Sequence, residues 1–171
     1  MTSRIDFLKE LGSTATLEFE ITGVIGIHDQ HDLALLRVAE TSADGRPLPD
    51  PLSVAAAPPA DLSGRDVYVV GYPAWDSGRS EPEVLQRIFM DVYNVKRLQP
   101  GQAVAYSTTF SALQHDCSTL GGNSGSPVVD LESNQVIGLH FSGRYGSANY
   151  AVPLWTLSGD ELLTSGDVNF R

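Results

Sequence analysis

A single cysteine, Cys117, in 171 residues rules out an internal disulfide, and with it a disulfide-stapled secreted scaffold. Basic residues are scarce. Eleven Lys and Arg stand against 21 Asp and Glu, for a net charge of −10, whereas nucleic acids and anionic membranes select basic surfaces. No apolar run approaches the length of a membrane span, and the start, MTSRIDFLKE, has no apolar signal core. These absences point to a soluble protein with an acidic, solvated surface and no nucleic-acid or membrane partner. They leave its compartment unknown. Histidine is also sparse: there are four, and none precedes His28. With the lone cysteine they show no tight ligand spacing, so neither a metal nor another cofactor is expected. His28 and His31 lie three apart, but in a polar loop that reads as a solvated turn.

What is present describes a folded domain. Hydrophobic residues make up 42% of the chain and charged residues 19%, and the length suits one domain over residues 1–171 with a buried core. Strand signals dominate. Thr16 to Ile21 alternates apolar and polar residues, as a half-buried strand does. Gly23 to Ile27 and Leu33 to Val38 are short apolar runs, separated by the polar loop His28-Asp29-Gln30-His31-Asp32. Residues 40–64 shift to Pro, Ala, Asp and Ser, and Pro47, Pro49, Pro51, Pro58 and Pro59 exclude a long helix there. This stretch is expected to cross between two halves of the domain.

The second half resumes with Asp66 to Val70, stopped by Gly71-Tyr72-Pro73. A polar loop is expected over residues 74–82, a strand over 87–96 closed by a turn at Pro100-Gly101, and another strand over 103–110. Pro127 to Asp130 and Gln135 to Phe141 suggest a hairpin across residues 131–134, and Asn149 to Val152 a last strand. Leu154 to Leu163 is the one helical candidate, interrupted by Gly159. Ile5 to Leu11 is too short to classify. Many short strands divided by turn residues imply an all-β sandwich or barrel.

The chemistry concentrates in Thr119-Leu120-Gly121-Gly122-Asn123-Ser124-Gly125-Ser126-Pro127. Glycines there allow a tight loop with Ser124 at its tip and the amides of Gly122 and Ser124 aimed at one point. A nucleophilic hydroxyl beside two such donors is what acyl transfer requires. A bare G-x-S-G also serves as a plain glycine-rich turn, so its neighbours decide. The elbow of α/β-hydrolases is excluded, because glycine follows Ser124 directly and the next segment is a strand.

Asp32 before an apolar strand, the proline-rich crossover, Gly71-Tyr72-Pro73 and Gly122 to Pro127 together resemble the trypsin-like serine proteases. More narrowly, they resemble bacterial enzymes of the glutamyl endopeptidase type. The likeness runs from about Arg4 to Leu157, and His31-Asp32-Leu33-Ala34-Leu35-Leu36 is similar to the family's segment bearing the triad aspartate. The resemblance implies a double antiparallel β-barrel. Residues 1–60 would hold the remainder of the first barrel and the crossover, and residues 61–171 the second barrel and a short C-terminal helix. It further implies Ser124 as nucleophile, Asp32 as orienter of a histidine, and the Gly122 and Ser124 amides as oxyanion hole. His140, Thr119, Ser142 and Gly143 would then line a pocket for a glutamate or aspartate before the cleaved bond. A histidine and a hydroxyl can together hydrogen-bond an acidic side chain. Period-two alternation sets Val136, Gly138 and His140 on one strand face and Ile137, Leu139 and Phe141 on the other. Asn123 stands where the animal enzymes carry an aspartate that pairs with a new N-terminal amine. An amide cannot form that ion pair.

One member of the triad is missing. The family's base lies upstream of the aspartate, in a T-x-x-H type of segment that this chain does not contain. His31 adjoins Asp32 and would point away from it, and His28 is a poor substitute. His115, on the strand leading into the serine loop, is expected as a structural or crevice-wall residue near the pocket entrance. The first barrel should therefore be incomplete, with exposed edges or apolar surface, and the chain as it stands should have little or no peptidase activity. The substrate expected is a peptide or protein. The alternative is a catalytically silent trypsin-fold module that binds a partner, and either could be one module of a larger polypeptide.

Overall fold

The computed structural model describes residues 3–75 and 82–171 and is built almost wholly of antiparallel strands. Strands β1 (Arg4–Asp6), β2 (Glu18–Ile27) and β3 (Ala34–Val38) form a three-stranded sheet with β2 in the middle. Strands β4 (Asp66–Gly71), β5 (Arg97–Ser107), β6 (Ala112–His115), β7 (Pro127–Asp130), β8 (Val136–Arg144) and β9 (Ala148–Pro153) close into a barrel in the order β4-β5-β6-β9-β8-β7. The all-β architecture is as expected. Its first half is an open sheet among the described residues, with apolar side chains such as Val24 and Ile27 exposed upon it.

The two segments read apart as Thr16–Ile21 and Gly23–Ile27 are one strand. Its pairing with β3 shifts register between Ile21 and Gly23 and again between Val24 and Gly26, so the glycines mark bulges rather than ends. The barrel interior is filled by Val67, Val69, Ala103, Leu113, Val128, Ile137 and Ala151, capped by Cys117 and Trp155. A second cluster lies outside it and includes Leu33, Val54, Val129, Val136, Leu157 and Leu163. Through Leu33 and Val54 this cluster fastens the first half and the crossover onto the barrel. Val54 also joins the backbone: its amide donates to Asn169 O (2.8 Å) and its carbonyl accepts from Arg171 N (2.8 Å).

Two sequence expectations fail. The strand expected over 87–96 is absent: its first three residues end helix α1 (Pro82–Phe89), which buries Leu85 and Phe89, four residues apart on one helical face, and residues 90–96 form a turn and loop. Pro82 sits at its first position, where a missing N–H costs nothing. Met90 and Asp91, with φ of 51° and 55°, then leave the helix through left-handed backbone. The turn expected at Pro100-Gly101 lies instead inside β5, opposite Tyr68 and Val67. Gly101 is required there because a Cβ would come within 2.6 Å of the Cys117 amide nitrogen. The helical candidate over Leu154 to Leu163 is interrupted as expected, giving a 3₁₀ turn over Leu154–Leu157 and helix α2 (Glu161–Ser165). Asp160 caps α2 by accepting from the Leu162 and Leu163 amides (2.9 and 3.2 Å). Most of the loop expected over 74–82 falls outside the described residues.

Candidate active site

The serine loop runs between β6 and β7 and is built from two successive turns. Asn123 N donates to Leu120 O (3.2 Å), and Ser126 N donates to Asn123 O (2.9 Å). Gly122 (φ 89°) and Gly125 (φ 87°) take left-handed backbone that a side chain would strain. At Gly122 a Cβ would also meet the Tyr72 carbonyl oxygen at 2.6 Å. The loop is pinned to the segment after β4 by Ala74 N donating to Gly121 O (2.7 Å). Beneath it the fully buried Asn123 exchanges two hydrogen bonds with Gln99 (2.9 and 3.2 Å) and donates to Leu120 O (3.1 Å). The side chain that departs from the animal pattern is thus neutral and fully paired. Gly71, at the end of β4, leaves room for it, since a Cβ would collide with Asn123 Oδ1 and Ser126 Oγ.

Ser124 is exposed at the loop tip, and its hydroxyl donates to Phe141 O (3.3 Å). Among the described residues, the amides of Gly122 and Ser124 donate to no acceptor. A hydroxyl beside two unengaged amides is the set of groups that an oxyanion needs. Cys117, seven residues earlier, is no rival nucleophile: burial pushes its thiol up to about 12.

Ser124 opens on a cavity of about 440 Å³. Thr119, His140, Ser142 and Gly143 line it, so the four expected pocket residues meet in one place, with Leu85 and Phe89 of α1 on the lining as well. His140 is 3% exposed, and its Nδ1 lies 3.1 Å from Nε2 of His115, which is 0% exposed. Of the roles expected for His115 the structural one fits: it is fully buried and backs His140, away from the pocket entrance. His115 lies, as expected, on a strand leading into the serine loop, but its partnership with His140 was not legible because β6 and β8 are brought together only through β9. Burial depresses both imidazoles, His115 to about 3 with the neighbouring ring adding to the effect, and His140 to about 4. Both are neutral at pH 7.

The shared hydrogen bond has two possible proton placements. If His140 donated from Nδ1, the buried Nδ1–H of His115, which has no partner, would be an orphaned donor. If His115 donates from Nε2, its Nδ1 is an unpaired acceptor, the better tolerated orphan. The second placement leaves Nε2 of His140 protonated, as a hydrogen-bond donor.

The expected faces of β8 need one correction. Val129 pairs with Val136 and Val128 with Gly138, so Ile137 is a bulge residue. The bulge puts Ile137 in the interior cluster and Val136 in the outer one, and strict alternation fails at that point. Asn149 is a further unforeseen pocket residue. Its Nδ2 donates to Cys117 O (2.6 Å), which forces its Oδ1 to accept from Thr119 Oγ1 (2.9 Å). The Thr119 proton is committed to that bond. A Cβ on Gly143 would press on Asn149 Oδ1, so this pocket wall stays thin.

Asp32 lies on the loop between β2 and β3, is exposed, and makes no side-chain hydrogen bond among the described residues, while Leu33 beside it is buried. His28 does not approach Asp32. Its Nδ1 accepts from the Gln30 and His31 amides (3.0 and 3.1 Å), and its Nε2 faces Asp160 Oδ2 (3.3 Å). His31 packs against His28, with ring centroids 4.8 Å apart.

Comparison with known proteins agrees with this geometry. The family model of the trypsin-like peptidase domain matches residues 9–139, from before Asp32 to beyond the serine loop. The chain belongs to the trypsin-like peptidase family. A protein of Lysobacter enzymogenes named "Probable serine protease" is 31% identical over 169 residues, covering 86% of this chain and 43% of that protein. The glutamyl endopeptidase of Staphylococcus aureus strain MW2 is 38% identical over 84 residues, 47% of this chain and 25% of that enzyme. This peptidase-family chain thus spans less than half the length of either relative. The crystal structure of Deg5 has the same fold, with a TM-score of 0.59 at 18% identity, over 99% of this chain and 71% of that one.

Proposed function

We propose that this chain is the serine-endopeptidase domain of a glutamyl endopeptidase-like protein, and that the general base is not among the residues of this chain. Ser124 is the nucleophile, and its attack on a peptide carbonyl creates a tetrahedral oxyanion held by the Gly122 and Ser124 amides. Asp32 orients the imidazole that takes the serine proton. His140 donates from Nε2 to the carboxylate of a glutamate or aspartate before the scissile bond, and His115 behind it holds that tautomer. One observation carries the reading: two unengaged amides flank an exposed hydroxyl at the mouth of a pocket that contains a buried, neutral histidine.

The missing base follows from the four histidines of the sequence. His28 is engaged with Asp160 and backbone amides, His31 packs on His28, and His115 and His140 hold each other. The Ser124 proton rests on a backbone carbonyl, which cannot accept it in a reaction. This last contact favours the second reading, a silent trypsin-fold module that binds peptides.

A fluorophosphonate probe tests the assignment. Ser124 should label slowly, at a rate little above that of an ordinary serine, and Ser124→Ala should abolish the signal. Rapid labelling at pH 7 would show that a base exists within the chain. Reading the coding sequence upstream of Met1 separates the two functions: an in-frame Thr-x-x-His segment supports the peptidase, and its absence supports the binding module.

A further inference from the structure

His140 can give a substrate carboxylate a hydrogen bond, but as a neutral ring it gives no charge. The chain as a whole, at −10, repels an acidic peptide. A pocket that selects glutamate over glutamine in this setting needs a positive charge of its own. Among the described residues lining the cavity, one is a lysine or arginine: Arg144. From these observations we infer that Arg144 is the specificity-determining cation of the pocket, pairing with the carboxylate of the substrate residue whose other contact is His140. The inference rests on the peptidase reading above and extends it to a residue with no assigned role.

The position of Arg144 suits the task. It is the last residue of β8, opposite Ala148, where the hairpin to β9 turns through Gly146 (φ 71°). The same strand carries His140, Ser142 and Gly143 along the cavity wall, so one element supplies both the neutral donor and the charge. Arg144 is exposed, and among the described residues its side chain has neither an ion pair nor a hydrogen bond. By contrast, Arg4, Arg46, Arg65 and Lys96 each hold a carboxylate. Among its described lining residues the cavity has one carboxylate, Asp116, whose Oδ1 already accepts from the Gln102 amide on β5. A guanidinium offers a planar fork of donors that matches a carboxylate. The guanidinium adds an ion pair, which a neutral imidazole cannot form with the carboxylate and a glutamine amide cannot form with the guanidinium, so the discrimination against glutamine should fall mainly on this residue.

The test is a binding measurement, because binding needs no base. N-acetyl-Ala-Ala-Glu-amide and its Gln counterpart are titrated into the 171-residue chain by calorimetry at pH 7, in low and high salt. The wild type should bind the Glu peptide more tightly. Arg144→Gln should lower that preference by about tenfold, Arg144→Lys should keep most of it, and 0.5 M salt should erode it in the wild type by screening. Equal affinity of the wild type for the two peptides would overturn the acidic-substrate reading, and this inference with it. A wild-type preference that survives unchanged in Arg144→Gln would overturn the role of Arg144 alone and leave the acidic preference to His140.

Discussion

At the scale of single residues, the His115–His140 pair ties the proposed specificity to stability. Both rings are held neutral in the folded chain by burial, at about 3 and about 4, against an ordinary value of 6.5. An unfolded chain binds protons at both sites as the pH falls below 6.5, while the folded chain does not until near pH 4. Their contribution to stability is therefore complete above pH 6.5 and is lost as pH falls toward 4. Between pH 6.5 and 5.5 the pair should cost roughly 2 kcal/mol of unfolding free energy, about half from each ring. Urea titrations at those two pH values should show this slope, and His140→Gln should flatten it by about half. An unchanged slope in that variant would show that other groups dominate the acid limb. His140 could be singled out from sequence because a resemblance pointed to it, but nothing local revealed its partner. The two rings are 25 positions apart, and only the pairing of β6 with β9 and β9 with β8 brings them together. Asn149, which fixes the Thr119 proton, was hidden for the same reason.

At the scale of elements, the serine loop shows what local sequence can and cannot specify. Its glycines announced tight turns, and the left-handed backbone at Gly122 and Gly125 bears that out. What holds the loop in place comes from elsewhere: Gln99 in β5, the Tyr72–Ala74 segment, and Gly71, whose missing side chain lets Asn123 and Ser126 pack against its backbone. Gly71 read from the sequence as a strand stop, yet its packing role is the more demanding one. A methyl group there would displace both Asn123 and Ser126, the two residues that bracket the nucleophile. Gly71→Ala should therefore cost about 2–3 kcal/mol, within the range for forcing atoms into a packed site. It should also move Ser124 and cut its labelling by the fluorophosphonate. A variant that melts normally and labels like the wild type would show that the loop is held by its own turns. Helix α1 marks the opposite failure. Its β-branched and aromatic residues suggested a strand, but Leu85 and Phe89 recur at helical spacing and are the residues buried. Periodicity was the better guide than residue type, and tertiary burial decided between them.

At the scale of the whole molecule, the halves differ in how completely they bury apolar surface. The barrel encloses its core, with Val69, Leu113 and Val128 fully inaccessible. The three-stranded sheet has one residue of that kind, Phe19, and it leaves Val24 62% and Leu36 43% exposed. Val24 and Leu36 are direct cross-strand partners, so their side chains share a face and form a continuous apolar patch. The first half is an open sheet among the described residues, and the all-β class was legible in the sequence through the strand signals. The location of the patch was not, because it depends on the two register shifts along β2. An exposed patch beside unpaired strand edges favours association. The 171-residue chain should therefore sediment faster as its concentration rises, while the double variant Val24→Thr, Leu36→Thr stays monomeric over the same range. Because both side chains are already largely in water, the variant should lose no more than about 1 kcal/mol of stability. Phe19→Ala, by contrast, should cost about 3–5 kcal/mol by opening a cavity. Concentration-independent sedimentation of the wild type would mean the patch is inert. A large loss of stability in the double variant would mean that Val24 and Leu36 are covered in solution and belong to the core.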